Sequence, residues 1–382
     1  MILKVFIFWR ISLFALTYLG SIVFPKVANG GIGAIGPGKN FDFLASWAQW
    51  DGGHFINIAS YGYFSAQEYA FFPLLPNLVR VVSIFTFGNH VLAGLLLTNT
   101  AFFLFLIIFY KLLKKRFGAQ IAVTTIITFL TFPTAFFGVA VYSESIFLLL
   151  AVLTLYFLEN KKFLAAVIVS GLATATRVVG IFLLIPVIWS LFFSHSGDPA
   201  KPETPESFQP DSGQARLAAK RARMTKILLL PLSISGLLLY SLYLYLKFGD
   251  PFYFSTVQSA WHRLPANPLT TIYSYLTINT LTKPFNDYLD IASTIGFLAI
   301  LVLGFRKIPK PWWLYSLLVI LIPASSGTLT SMPRYVLSAF PVFILMGIYL
   351  ADKVVLKTII WGIFLVLQIS LAVLFVNGYW VS

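Results

Sequence analysis

Apolar runs follow one another along the whole chain, separated by short polar breaks. They predict helices over about 5–24, 90–111, 119–133, 142–158, 163–177, 178–193, 226–246, 289–305, 312–330, 335–351 and 358–378. An apolar run of about 18 residues or more can cross a bilayer core about 30 Å thick. Polar and apolar positions do not alternate within the runs, which argues against a membrane β-barrel. The pattern therefore predicts an all-α, polytopic membrane protein, a single domain over 1–382 with about eleven transmembrane helices. The first run has no small-residue cleavage site and reads as a retained span.

One run departs from the rest. AFFPLLPNLVRVVSIFTFG, at 70–88, opens with two Pro and carries Arg80 in its middle. If it lies along the membrane surface, the basic loops KLLKKRFG, ENKK, FRKIPKP and ADKVVLK fall on one side with Lys4, Arg10 and segment 194–225. That side then holds most of the 27 basic residues, which makes it cytoplasmic. If the run spans instead, several of these basic loops move outside. The expectation is an interfacial helix within an outer loop at 25–89, with the N-terminus inside and the C-terminus outside. Segment 194–225 is rich in Pro, Glu and Ser and reads as a disordered cytoplasmic linker ending in a short basic helix.

Composition sharpens this picture. The chain has 382 residues, 58% hydrophobic and 10% charged, against about 25% charged in a soluble domain. The net charge of +14 sits largely in short loops beside apolar runs, so it reads as topology signal and not as a nucleic-acid surface. The absence of Cys excludes disulfides and thiolate metal sites. The four His (His54, His90, His195, His262) lie far apart, without metal-ligand spacing.

The topology gathers the scarce ionisable residues on the outer side. Asp42, Asp51, His54 and Glu68 lie in the first outer loop, and Ser143 and Glu144 begin the fourth run. Arg177 sits between the fifth and sixth. Trp261, His262, Arg263 and Lys283 follow the seventh, and Arg334 begins the tenth. Such groups at a membrane edge require a cavity or a partner. A carboxylate could take a proton from an attacking hydroxyl, and Arg forks fit phosphate oxygens. The stretch SWAQWDGGHFINIASYGYF surrounds Asp51 with Trp47, Trp50, Phe55, Tyr61 and Tyr63, whose rings could hold sugar or lipid. Gly52 and Gly53 could let a helix start close against substrate. Read alone, Asp51 is either a helix cap or a base. His54 could orient Asp51, touch the acceptor or make a structural hydrogen bond. Asp42 reads as a loop residue, Glu68 as a surface residue. Arg177 has no nearby partner in sequence and calls for a phosphate or Glu144. Arg334 reads equally as a headgroup anchor or a phosphate contact.

These residues resemble a family. WDGGHFINIASYGY followed by AFFPLLP resembles the signature of the PIG-V family. FPTAFFGVAVYSESIFLLL, ATATRVVG and, more weakly, MPRYVLSAFPVFI are similar to further family blocks in the same order. The resemblance implies a GT-C glycosyltransferase: a multi-spanning inverting enzyme, mannosyltransferase-like, that uses a polyprenyl-phosphate sugar and a lipid-linked or glycan acceptor. It implies Asp51 as general base, with His54, Glu144 and Arg177 lining the substrate site; the surrounding sequence adds Trp50, Tyr63 and Arg334 as candidate substrate contacts. It carries no cofactor, and a divalent metal is not expected to be obligatory. Val178 and Val179 depart from the family's Ser-Asn after Arg177. The expected location is a bacterial cytoplasmic membrane with the site facing outward. The alternative is a lipid flippase or secondary transporter without chemistry. That would need a polar path to the inner side, where the sequence places mainly loop cations, and no internal repeat supports it.

Overall fold

A computed structural model describes residues 1–27, 41–193, 224–277 and 284–381. Regular structure among the described residues is helical. The first half holds α1 (Ile2–Val23), α2 (Asp51–Tyr61), α3 (Leu74–Ser83), α4 (His90–Phe117), α5 (Ala119–Thr131), α6 (Glu144–Glu159), α7 (Phe163–Thr174) and α8 (Leu184–Phe193). The second half holds α9 (Met224–Phe248), α10 (Tyr253–Thr256), α11 (Pro268–Thr277), α12 (Phe285–Leu303), α13 (Lys310–Ala324), α14 (Met332–Tyr335), α15 (Pro341–Leu350) and α16 (Val354–Val376). The linker expected at 194–225 lies outside the described residues up to 223, and α9 already begins at Met224. Lys283 also lies outside them.

Each of the eleven apolar runs contains helix, but not eleven full spans. Among the described residues five helices are long and apolar enough to cross a membrane: α1, α4, α9, α12 and α16. A sixth results if Met332–Ala339 and Pro341–Leu350, bent by 82°, count as one broken span. The remaining runs give helices of 17 residues or fewer, such as α5, α7 and α13. The breaks have local causes. α5 stops before Phe132-Pro133, where proline disfavours helix in the residue ahead of it. Pro341 opens α15 at the bend, and α7 gives way to a tighter helical turn at Val178–Leu183.

The link between α5 and α6 is irregular and almost wholly buried. Backbone of this kind is tolerated in a membrane protein only where protein surrounds and satisfies it. Here Val141 N–H donates to Trp47 O at 3.0 Å, and Asn99 Nδ2 donates to Val139 O at 3.1 Å. Gln368 on α16 donates to both Leu130 O and Phe132 O and accepts from Trp9 Nε1 of α1. A phenylalanine core supports this link: Phe102, Phe105 and Phe109 of α4 pack against Phe129, Phe340 and Phe343, with Phe129 and Phe343 centroids 4.6 Å apart. Arg10 within α1 turns inward, donating to Asn99 Oδ1 at 2.7 Å and lying over the Trp47 ring.

The run at 70–88 contains the ten-residue α3, too short to span. One face buries Leu75, Pro76 and Val79, while Val81, Ile84, Phe85 and Phe87 remain exposed. Arg80 is not a burden on this helix. Its Nε and Nη2 donate to Ala59 O and Ile58 O, carbonyls of the last turn of α2.

α7 and α9 approach closely through small residues, as membrane helices do when backbones must meet. A Cβ on Gly236 would lie 2.5 Å from both Ala175 N and Gly171 O, whereas one on Gly296 meets nothing within 4 Å. Gly236→Ala should therefore destabilise the protein by about 1–3 kcal/mol. It should lower the thermal midpoint in detergent, while Gly296→Ala leaves it unchanged.

Candidate active site

Trp50 adopts φ 57°, a left-handed conformation that a non-glycine residue rarely holds. It turns the chain sharply from the Ala45–Ala48 turn into α2, so that Asp51 becomes the first helical residue. An acidic group at this end of a helix is favoured by the helix dipole. Gly52 has a different role from the expected one. A Cβ there would meet Val141 O at 3.1 Å and the Tyr142 ring at 3.3 Å. The glycine admits the protein's own 141–142 segment and not substrate.

Four charged side chains from distant parts of the chain then join in series. Arg334 Nη1 lies 2.7 Å from Asp51 Oδ2, and its Nε lies 3.4 Å from Glu144 Oε1. Glu144 Oε1 also receives Arg177 Nη1 at 2.6 Å. Arg334 and Glu144 are only 8% and 2% exposed, whereas Asp51 retains 26%. The Arg334 Nε contact has ion-pair distance without hydrogen-bond geometry, and Glu144 Oε2 is buried with no hydrogen-bond partner among the described residues. Asp51 thus has one oxygen held by Arg334 and a carboxylate still open to the cavity beside it.

That cavity has a volume of about 1270 Å³ and is lined by Trp50, Asp51, His54, Glu144, Arg177 and Arg334. Six of the seven sequence-derived site residues share it. His54 stacks on Phe71 at 4.7 Å with Trp261 edge-on at 6.3 Å, and no hydrogen bond joins it to Asp51 among the described residues. Arg334 is not a headgroup anchor, because its ion pairs hold it inside. Arg177 takes Glu144 as the partner its surroundings required.

Tyr63 is the exception. It stacks on Tyr69 at 4.8 Å, donates its hydroxyl to Phe71 O at 2.7 Å and packs with Tyr240 in a separate aromatic cluster. Burial pushes its phenol above the ordinary value, so it stays a neutral donor supporting the loop from behind. Two other residues of this loop also have structural roles. Asp42 Oδ1 accepts from Leu44 and Ala45 N–H. Glu68, expected on the surface, is 1% exposed and forms a capping box with Ser65 while also accepting from Phe64 N–H.

The second half of the chain adds further side chains; Arg263 is among the ionisable residues expected on the outer side, whereas sequence patterns do not single out Tyr335 and Asp290. Tyr335 lies among three guanidiniums, with Arg334, Arg177 and Arg263 at 5.1, 5.4 and 5.5 Å from its ring. Arg263 comes from the loop after α10 and donates to Ser326 Oγ and Thr330 O. Asp290 on α12 is buried and accepts from Met332 N–H at 3.0 Å, steadying the left-handed Ser331 turn that introduces Arg334. An acidic residue within an apolar run was the one signal available for it. No group of three or more His, Asp or Glu side chains with metal-site spacing occurs among the described residues.

Residues 37–195 match the family profile described as Mannosyltransferase (PIG-V). GPI mannosyltransferase 2 of Cryptococcus neoformans is 32% identical over 146 residues, covering 35% of this chain and 34% of that protein. GPI mannosyltransferase 2 of Schizosaccharomyces pombe is 30% identical over 152 residues, 39% of this chain and 31% of that protein. The match thus spans about a third of the length of these curated relatives. Among solved structures, ArnT from Cupriavidus metallidurans bound to undecaprenyl phosphate aligns over 94% of this chain and 62% of that one, at 14% identity and a TM-score of 0.49, too low to carry an argument. The PIG-V segment contains Asp51, Glu144 and Arg177, while Arg263, Arg334 and Tyr335 lie beyond it.

Arg334 is the group whose loss the site should tolerate least. Removing one partner of a buried ion pair costs about 3–5 kcal/mol, because the remaining charge stays uncompensated. Arg334→Met should lower the thermal midpoint in detergent well below that of Arg334→Lys, which keeps the charge but not the fork. Equal midpoints would contradict a buried charge network.

Proposed function

We propose that this integral membrane protein is an inverting mannosyltransferase of the GT-C type, moving a sugar from a polyprenyl-phosphate donor to a hydroxyl of a lipid-linked or glycan acceptor. The single observation that carries the reading is the series Asp51–Arg334–Glu144–Arg177 on the wall of one large cavity. Asp51 takes the proton as the acceptor oxygen forms its bond to the sugar's anomeric carbon. The bond from that carbon to the phosphate oxygen breaks, and the phosphate leaves with the electron pair. Attack opposite a β-linked phosphate gives an α-linked product.

Charge supports a monophosphate donor. The lining carries two carboxylates, Asp51 and Glu144, and three guanidiniums, Arg177, Arg263 and Arg334, so three minus two leaves one positive charge. A phosphodiester of a lipid and a sugar carries one negative charge and fits that surplus. A donor joined through a diphosphate would carry two. Arg177 and Arg263 are the cations not bound to Asp51, and they are assigned the phosphate. Their fixed positive charge offsets what builds on the leaving oxygen, so the reading needs no obligatory metal. In this reading the N-terminus is cytoplasmic, the cavity opens on the outer side, and α3 lies along that surface with Phe85 and Phe87 towards lipid.

The test uses purified protein in nanodiscs, radiolabelled polyprenyl-phosphate mannose and a panel of lipid and glycan acceptors. Loss of a general base typically costs about 10²–10⁴-fold. Asp51→Asn should reduce turnover by that factor and leave donor binding in place. Undiminished transfer by the variant would remove Asp51 from the role, and movement of intact donor across vesicles without transfer would favour transport. EDTA should leave turnover unchanged; loss restored by Mn or Mg would add a metal to the site.

A further inference from the structure

The last residues of the chain return to the cavity. Val376, Asn377, Gly378 and Val381 are buried, yet Trp380 between them is 40% exposed and lies on the cavity wall. Its ring meets Trp50 nearly at right angles, 85°, with centroids 4.9 Å apart. Hydrogen bonds from several elements hold the segment in place. Gln49 Nε2 donates to Val376 O at 3.1 Å, Trp50 Nε1 to Tyr379 O at 3.3 Å, and Asn286 Nδ2 to Trp380 O at 3.1 Å.

Two features here cost free energy that packing does not explain. Trp50 is held at φ 57°, and strain of this kind concentrates where geometry serves a function. Trp380 leaves much of a large ring open at the cavity wall, although the segment around it is buried. Both costs fall beside Asp51, the next residue after Trp50. A cavity with aromatic walls and a few placed polar groups fits a ligand with one apolar face and a polar rim. A pyranose ring has that form, with C–H groups on a face and hydroxyls around the edge.

We propose that Trp380, with Trp50, forms a platform for a sugar ring of the acceptor. This rests on Asp51 being the base. The hydroxyl that loses its proton must reach Asp51, so the ring carrying it lies against the residues adjoining Asp51. The donor phosphate is drawn to Arg177 and Arg263, the guanidiniums of the cavity that are not bound to Asp51. Trp380 is therefore a specificity-determining residue, and it lies outside the stretch at 37–195 that matches the family.

The experiment measures binding by calorimetry on the full chain in nanodiscs, with methyl α-D-mannopyranoside and methyl α-D-glucopyranoside as ring probes and mannitol as the acyclic control. At least one ring probe should bind saturably and mannitol should not. An aromatic contact is worth up to about 1.5 kcal/mol, or about tenfold in affinity. Trp380→Ala should weaken ring binding by about tenfold, and Trp380→Phe should restore most of it. Affinity for polyprenyl phosphate should stay the same in both variants. The absence of saturable ring binding, a parallel loss of polyprenyl-phosphate affinity, or Trp380→Phe behaving like Trp380→Ala at matched thermal midpoints would each overturn the platform. None of these readings depends on turnover. Failure of the base assignment would show instead as continued transfer by Asp51→Asn.

Discussion

A buried guanidinium must be compensated, and the arrangement of this protein around its cavity follows from that need. Arg334 stands between Asp51 and Glu144, and Glu144 is shared with Arg177. The four residues come from the start of α2, the start of α6, the short link between α7 and the turn at Val178–Leu183, and the first turn of α14. No two are closer in sequence than the 33 residues between Glu144 and Arg177. For the charges to meet, these four places must converge at one depth. The supporting structure secures that convergence. The irregular 132–143 link is fixed by Asn99, Gln368 and Trp47. Thr134 Oγ1 donates to Pro333 O at 2.6 Å, tying the link to the Arg334 turn.

The same need explains why the helices are shorter than the apolar runs. A helix crossing the full bilayer carries its backbone past any polar site. Here α5, α7 and α13 stop early, and the bend between α14 and α15 turns a would-be span aside. Space near the ends of these helices becomes cavity, and the N-terminal ends of α2 and α6 present Asp51 and Glu144 to it. Hydropathy sees an unbroken apolar run in such places, because the residues flanking the break are themselves apolar. Each of the eleven runs therefore reads as one span by hydropathy, whether or not its helix is continuous. Helix class and the approximate position of each run were legible because apolar composition dictates both. The bend at Pro341 was not, since proline is equally at home in the first turn of an ordinary helix.

Site residues were legible to the degree that chemistry made them conspicuous. Asp51, Glu144, Arg177 and Arg334 are charges within apolar or aromatic surroundings, where only pairing or function accounts for them. Their pairing partners were not legible, except that Arg177 required an anion and Glu144 was within reach of the argument. Tyr63 misled for the opposite reason: a tyrosine in an aromatic-rich loop looks like a ligand-facing ring, yet its hydroxyl serves Phe71 O. Glu68 looked like a surface acid because capping is a backbone contact that leaves little trace in composition. Tyr335 and Trp380 carry no charge and sit in ordinary aromatic-rich sequence, so only the fold reveals that they border the cavity.

The division between the matched and unmatched halves bears on what similarity can carry over. Residues 37–195 contain the carboxylates Asp51 and Glu144 and one cation, Arg177. Under the proposed function a sequence likeness confined to this stretch speaks to the reacting end of the site, where the demands of proton removal and phosphate neutralisation would be shared by many acceptors. Arg263, Arg334, Tyr335 and Trp380 come from the other half, and they border the remaining wall of the same cavity. Walls that touch the non-reacting part of a substrate set which substrate is used, because binding there is spent on orientation and not on bond making. Two relatives can therefore share the base and its supporting charges while differing in acceptor. The acceptor named by the GPI mannosyltransferase 2 relatives does not pass to this chain with the matched segment, and under the proposed function the cavity wall built by its second half is where acceptor choice would be set.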